Sequence, residues 1–199
     1  MVHRGFAQEF LDYFNAVPEG TGSCGAACKR RERVIVEDVL TDPIFRPHLE
    51  IVAAAGYRAV QSTPLFSHAG DLLGMLSTHF RQPHRPSARN LCVLDLYALQ
   101  VAEMIERNCA QARRMAKQLA DIPGAHVLND VVLNQVLVRL PGGDDANRAA
   151  VAAIQRDGTC WLGGTTWNGE YVVRVSISNW ATTDDDVDRS AGAIAAAMS

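Results

Sequence analysis

The sequence has no apolar run long enough to cross a membrane and no excess of basic residues. A membrane-spanning helix needs about 18 or more consecutive apolar residues, and every apolar stretch here is shorter. Lysine and arginine together number 19 against 22 aspartates and glutamates, which gives a net charge of −3. Proteins that bind nucleic acid or anionic membranes carry a basic surface. We therefore expect neither nucleic acid nor a membrane to be the partner.

We also expect neither a secretory leader nor a disulfide framework. The chain opens with Met1-Val2-His3-Arg4 and an amphipathic stretch, where a leader would show an apolar segment. Its cysteines are odd in number and follow no framework pattern, so we expect reduced thiols in a cytoplasmic protein. His79 and His84 lie in no recognisable metal-ligand spacing with Cys24 and Cys28, and we expect no metal site. The five are Cys24, Cys28, Cys92, Cys109 and Cys160.

Tryptophan is absent from the first 160 residues, and all three tryptophans fall within the last 40. This asymmetry indicates two units, and 199 residues suffice for two small domains. We predict an α+β protein with domains at residues 1–108 and 109–199. The first is an antiparallel sheet with flanking helices that ends in a long connecting helix, and the second is a small α/β sandwich-like domain.

A β-hairpin is the clearest pattern of the first half. Arg58–Ser67 and Leu72–Phe80 read as strands around a loop that contains glycine. Pro64 removes a backbone donor, so the first strand should lie at an edge or carry a bulge there. Polar side chains that alternate along these strands predict a ligand pocket, the alternative being a half-solvated face. The predicted pocket residues are Gln61 and Thr63 on the first strand, and Met75, Ser77 and His79 on the second.

A heptad pattern follows and predicts one long helix. Either this helix packs along a sheet of its own chain, or it pairs with a second copy in a homodimer. In the second case Asn108 would be the polar residue that sets the register. The pattern consists of Leu91, Leu94, Ala98, Val101, Ile105, Asn108, Ala112, Met115 and Leu119.

In the second half the sequence predicts strands and helices in alternation. Asn168-Gly169 favours a type I′ turn between two strands. Asp144 and Thr183 are each predicted to cap the N-terminus of a helix.

Two stretches carry a resemblance to a known family. They are SCGAACKRRERVIVEDVLTDPIF, from Ser23 to Phe45, and AAGYRAVQSTPLFSHAGDLLGMLSTHF, from Ala54 to Phe80. On them, Gly5 to Arg107 resembles the GAF domains of bacterial sensor histidine kinases. The resemblance implies a sheet flanked by helices, a small-molecule ligand or a dimeric relay, and a histidine kinase as partner. A complete GAF domain has two further strands and a helix before the region to which Gly5 corresponds. The resemblance therefore implies a truncated domain.

Three blocks after Ala112 carry a second resemblance: Ile122–Leu140, Asp157–Gly169 and Val172–Ser190. They are similar to the C-terminal small domain of group II pyridoxal-phosphate-dependent amino-acid decarboxylases. The resemblance implies that Arg174 binds a substrate carboxylate, the alternative being an ordinary exposed arginine. Pyridoxal phosphate needs a lysine for its imine, and the only lysines, Lys29 and Lys117, do not follow the family's His-Lys pattern.

Together these observations favour a sensory or regulatory module with a catalytically incomplete tail. We expect no catalytic residue and no cofactor in the chain alone, and pyridoxal phosphate only with a separate large domain. The alternative is an accessory part of a decarboxylase that contributes Arg174, with a decarboxylase chain as partner. A rearranged gene, whose product folds without a selected activity, is a third interpretation.

Overall fold

The computed structural model describes residues 5–16 and 20–198. The chain divides into two compact units, Met1–Glu103 and Met104–Ser199, each built from an antiparallel sheet and helices. The predicted α+β class is confirmed. The predicted boundary after residue 108 lies in the same helix as the observed one. No helix among the described residues is both long and apolar enough to cross a membrane.

Three antiparallel strands form the sheet of the first unit in the order β1-β2-β3. They are β1 at Val34–Val36, β2 at Ala59–Phe66 and β3 at Leu72–Phe80. The predicted hairpin is thus confirmed. For Pro64 the sequence predicted an edge position or a bulge. β2 is the central strand, but Pro64 has no partner in β1 and a bulge lies close to it, in agreement with the second alternative. Pro64 is accommodated because β1 pairs with β2 only from Val60 to Ser62, and the bulge follows between Leu65 and Phe66.

The helices of the first unit are α1 at Gln8–Ala16, α2 at Gly22–Arg30 and α3 at Leu49–Ala55, with a 3₁₀ helix at Pro43–His48 before α3. Gly56 ends α3 in the left-handed conformation, with a φ of 72°. The buried side chains of these helices, of β1 and β2 and of the segments that connect them form one core. It contains Phe10, Leu11, Ala26, Ala27, Val34, Val36, Val39, Phe45, Val52, Tyr57 and Val60.

The long helix, α4, runs over Ala88–Ala120 and confirms the helix predicted from the heptad pattern. Its last heptad residues are used within the chain, because Ala112, Met115 and Leu119 belong to the core of the second unit. Asn108, the predicted register residue, is buried as well. Large apolar side chains are exposed instead near the start of α4, at Val93, Leu96, Tyr97 and Leu99.

Four antiparallel strands form the sheet of the second unit in the order β4-β5-β7-β6. The strands are β4 at His126–Val127, β5 at Gln135–Arg139, β6 at Gly163–Trp167 and β7 at Glu170–Ser176. Helices α5 at Gly143–Asp157 and α6 at Asp184–Ala196 bury one face of the sheet. The central members of that core are Val136, Val138, Val151, Ile154, Val173, Val175, Val187 and Ile194.

The predicted turn and one of the two predicted caps are confirmed. Asn168 and Gly169 both have positive φ, at 51° and 85°, as a type I′ turn requires. Thr183 caps α6 in a capping box with Asp186. The cap predicted at Asp144 is wrong, because Gly142 occupies the N-cap of α5. The Asp144 carboxylate accepts a hydrogen bond from the backbone N–H of Tyr171 at 3.0 Å.

Candidate functional site

The register between β2 and β3 distributes the predicted pocket residues over both faces of the sheet. Ser62 lies opposite Ser77, while Gln61 lies opposite Thr78. Directly opposed residues of an antiparallel pair point to the same side. Ser77, together with Met75 and His79, therefore shares a face with Ser62. The two predicted β2 residues, Gln61 and Thr63, point to the other face, so the five do not form one site.

Four small polar side chains meet on the face that carries Ser77, and we call them the hydroxyl–thiol cluster: Ser23, Cys24, Ser62 and Ser77. The Ser62 hydroxyl lies 2.8 Å from the Ser77 hydroxyl and donates to the Ser23 hydroxyl at 2.9 Å. The Cys24 sulfur lies 3.2 Å from Ser77 Oγ and 3.4 Å from Ser62 Oγ. The cluster thus joins α2 to β2 and β3.

The first turn of α2 positions two members of the cluster. Ser23 and Cys24 are the second and third residues of α2, which begins at Gly22. Ser23 is buried, whereas Cys24 is exposed. Gly25 allows the preceding loop to pass close by, since a Cβ there would lie 2.7 Å from the backbone nitrogen of Gly20. The cluster consequently has a buried hydroxyl side and a thiol open to solvent.

Aromatic rings surround His79, next to Ser77 along the same face. The imidazole centroid lies 4.7 Å from that of Tyr57 and 4.8 Å from that of Phe6, both edge to face. Burial among these rings lowers the pKa of His79 to about 4, because an imidazolium would lose its hydration there. Burial, with the charge of Cys24 as a smaller cause, raises the pKa of Tyr57. Both groups are therefore neutral at pH 7.

This arrangement can form hydrogen bonds with a ligand, but no cationic side chain belongs to the cluster to neutralise a negatively charged ligand. Hydroxyl groups both donate and accept, and the half-buried Met75 packs against the adjoining core. No set of three or more metal-ligating side chains that could hold a metal ion occurs in the described part of the chain. Within the cluster the Cys24 thiol is exposed and Ser77 is half-buried, whereas Ser23 and Ser62 are buried.

Gln61 and Thr63 belong to a separate polar network on the opposite face. The Thr63 hydroxyl donates to Gln61 Oε1 at 2.8 Å and accepts from Arg33 Nε at 2.8 Å. Arg33 also forms an ion pair with Asp95 of α4. Both β2 side chains are buried, so neither points to water.

Sequence reasoning missed Ser23, Cys24 and Ser62 as members of the site. The register carries the missing information, because pairing outward from the hairpin loop places Ser62 opposite Ser77. Alternation within each strand cannot supply it, since it does not say how two strands are aligned.

Arg174 lies on the exposed face of β7, between Leu137 of β5 and Gly163 of β6. It is exposed, and it makes no ion pair with any residue in the described ranges. A Cβ at Gly163 would meet nothing within 4 Å, so the space beside Arg174 is open. The guanidinium is accessible to an anion from outside.

Comparison with known proteins associates the first part of the chain with one family. The GAF domain family model matches residues 7–112. A curated relative, the methyl sulfide methyltransferase-associated sensor of Methanosarcina acetivorans, is 26% identical over 121 residues. The matched segment covers 61% of this chain but only 12% of the length of that sensor.

Solved structures also resemble parts of the chain. Tryptophan decarboxylase from Catharanthus roseus, in complex with L-tryptophan, aligns with a TM-score of 0.50 and 16% identity, over 61% of this chain and 27% of its own. This likeness is one of fold alone. A domain of a two-component sensor histidine kinase protein from Sinorhizobium meliloti aligns with a TM-score of 0.40 and 28% identity, over 42% of this chain and 57% of its own.

Proposed function

This chain belongs to the GAF domain family, and from that premise we propose that it is a sensory or regulatory module that binds a small molecule at the hydroxyl–thiol cluster. The observation that supports this most directly is the meeting of Ser23, Cys24, Ser62 and Ser77 beside a buried aromatic wall. A sensor among the relatives agrees with this role.

The proposed ligand is neutral and has at least one hydrogen-bonding oxygen or nitrogen. Its polar end would bond to the half-buried Ser77 hydroxyl beside the exposed Cys24 thiol, and its apolar part would lie against Met75 and the His79 ring. A carboxylate or a phosphate is disfavoured because no cationic side chain belongs to the cluster, and because His79 stays neutral above about pH 4.

A library of small neutral metabolites, screened by thermal shift and followed by titration calorimetry, tests the proposal. We expect Ser77→Ala to weaken binding of a true ligand about threefold to tenfold, the usual effect of losing one hydrogen bond. Ser176→Ala is the matched control, since Ser176 is an exposed strand serine of the second unit. Ligands that bind Ser77→Ala and the parent with equal affinity would place the site elsewhere.

We also propose that the module forms a homodimer through α4 and passes its signal to a histidine kinase partner. The exposed apolar residues near the start of α4 support the first part. The heptad residues that are buried in the chain itself do not take part in this interface.

The second candidate is an accessory part of a pyridoxal-phosphate-dependent decarboxylase, supported by the shared fold and by the accessible Arg174. The chain's own residues do not fit the cofactor. Lys29 and Lys117 are both exposed on helices, whereas an imine lysine lies in an enclosed site. Under this proposal a separate large domain would bind the cofactor, and Arg174 would bind the substrate carboxylate by a bidentate contact.

Absorbance spectroscopy separates the two candidates. If the chain is a sensory module, pyridoxal phosphate added to the purified chain gives no specific imine band at about 410–430 nm. If it is an accessory part of a decarboxylase, the band and amino-acid decarboxylation appear once a large-domain chain is added, and Arg174→Lys abolishes the decarboxylation. A band from the chain alone that is lost in Lys117→Arg would contradict the misfit described above.

A further inference from the structure

The carboxamide of Gln61 is completely buried at the centre of β2, and only one half of it is bonded. Its Oε1 accepts from Thr63, as described above. Its Nε2 has no hydrogen-bond partner among residues 5–16 and 20–198. A buried N–H without an acceptor is costly, and native proteins leave few of them.

A second unpartnered group lies directly across the strand pair. Thr78 is the register partner of Gln61, and its buried hydroxyl likewise has no partner among the described residues. Side chains that face each other in an antiparallel pair have their Cβ atoms about 4.5–5.5 Å apart. A rotation of the Gln61 side chain can therefore exchange the bond with Thr63 for one with Thr78.

We propose that Gln61 is a two-state switch between Thr63 and Thr78, and that this switch controls how firmly α4 is held to the sheet. In the state described here, Thr63 bonds to Gln61 and to Arg33, and Arg33 bonds to Asp95 of α4. In the other state Gln61 bonds to Thr78. Thr63 then loses its acceptor, so that Arg33 is less firmly positioned and its ion pair with Asp95 weakens.

The residue that follows Gln61 in the sequence belongs to the proposed ligand site on the other face of the sheet. Ser62, which lies between Gln61 and Thr63, points to the opposite face and belongs to the hydroxyl–thiol cluster. A displacement of Ser62 by a bound molecule would move both neighbours by way of the backbone. The inference deepens the proposed function and rests on it, because it supplies the route from ligand site to α4.

Alkylation of Cys24 by iodoacetamide serves as the probe, since it adds a neutral group beside Ser62 without requiring the natural ligand. Cys92→Ser is the background, because Cys24 and Cys92 are the two exposed cysteines. The readout is amide hydrogen exchange over residues 88–103 of α4. We expect alkylation to raise exchange there about fivefold, the effect of losing one hydrogen-bonded connection.

Two variants separate the states. Thr63→Val should raise α4 exchange about as much as alkylation does, with no further response to alkylation. Thr78→Val removes the alternative partner of Gln61 with little change in shape, and should abolish the response.

The control is Glu37→Gln, which breaks the exposed Arg85–Glu37 pair and should respond like the parent. If Thr63→Val fails to fold, Asp95→Asn replaces it, because Asp95 is largely exposed.

A Thr78→Val protein whose α4 responds to alkylation like the parent would overturn the switch. So would a parent whose α4 does not respond at all. Neither outcome affects the ligand screen, which tests Ser77 in the parent chain. Failure of the screen with an intact alkylation response would instead remove the proposed ligand while leaving the switch.

Discussion

At the scale of single residues, His79 shows how burial sets the protonation state of a side chain on the sheet face that carries the hydroxyl–thiol cluster. Its ring contacts the edges of Tyr57 and Phe6, and the pKa of about 4 lies below the ordinary histidine value of 6.5. A proton on His79 therefore favours the unfolded chain, where the imidazolium is hydrated. The folded state is most stable when this ring is neutral.

Replacing His79 by Phe tests this assignment through the pH dependence of stability. Between pH 6.5 and 4 the unfolded chain binds a proton at His79 that the folded chain does not, so stability falls as pH falls through that range. Over it the parent should lose up to about 3 kcal/mol through this group. In His79→Phe this part of the loss disappears, as measured by urea unfolding at pH 7.5 and pH 4.5.

His48 provides the comparison. Burial lowers the pKa of His48 as well, so the variant retains a smaller slope of the same sign. A His79→Phe curve parallel to the parent at all pH values would show that His79 is not held neutral by the fold.

At the scale of elements, local sequence signals predicted which segments are strands and helices. They were less successful in predicting which of these segments contact one another in the fold. The hairpin, α4, the Asn168-Gly169 turn and the Thr183 cap all depend on residues close in sequence, and the structure has each of them. The site depends on register and on α2, which packs Ser23 and Cys24 against β2 and β3. Contacts between distant segments leave no periodic pattern, so the thiol and Ser62 were not predicted.

The caps show the same division. Asp144 has the residue type of a cap, but the fold places Gly142 there and uses the Asp144 carboxylate to bind the backbone of β7. A glycine with positive φ can end the turn after Leu140 where an aspartate would be strained. Tertiary placement has overridden a local preference.

The β6–β7 hairpin offers a test of packing at the same scale. Tyr171 lies across Gly164, and a Cβ at Gly164 would be 1.9 Å from the tyrosine oxygen. The guanidinium of Arg148 covers the ring, 3.9 Å from its centroid. Gly164→Ala should therefore destabilise the protein by about 1–3 kcal/mol, the usual cost of overpacking, measured by urea unfolding.

The neighbouring glycine is the matched control. A Cβ at Gly163 meets nothing within 4 Å, so Gly163→Ala should change stability by no more than about 0.5 kcal/mol. The double variant Gly164→Ala, Tyr171→Leu should recover part of the loss if the ring is the obstacle. Equal effects of the two alanine substitutions would contradict the close contact.

At the scale of the whole molecule, the heptad pattern of α4 answers two needs at different places along one helix. Ala112, Met115 and Leu119 complete the core of the second unit, so their spacing reflects packing within the chain. Near the start of α4, Ala98 is buried while Leu96 and Leu99 are exposed. A periodic pattern alone could not distinguish these two uses, because both place apolar residues every three or four positions.

The exposed residues of α4 lie in two adjacent rows on the side away from Ala98. Successive residues are 100° apart around a helix, which places Leu96 and Leu99 in one row and Val93 and Tyr97 in the next. All four are at least 43% exposed. Exposed apolar surface of this kind supports the proposed homodimer, in which it would meet its own copy across a two-fold axis.

On the proposal that α4 forms a homodimer, the substitution of both Leu96 and Leu99 by Glu should give a monomer, since four carboxylates would be brought into an apolar contact. We expect the dissociation constant to rise at least about 100-fold, measured by analytical ultracentrifugation between 1 and 100 µM, with unchanged circular dichroism because the side chains are exposed. Arg113→Glu with Lys117→Glu changes exposed residues later in α4 and should leave the dimer intact. A parent that sediments as a monomer at the highest concentration, or a control pair that dissociates as readily, would exclude this face as the interface.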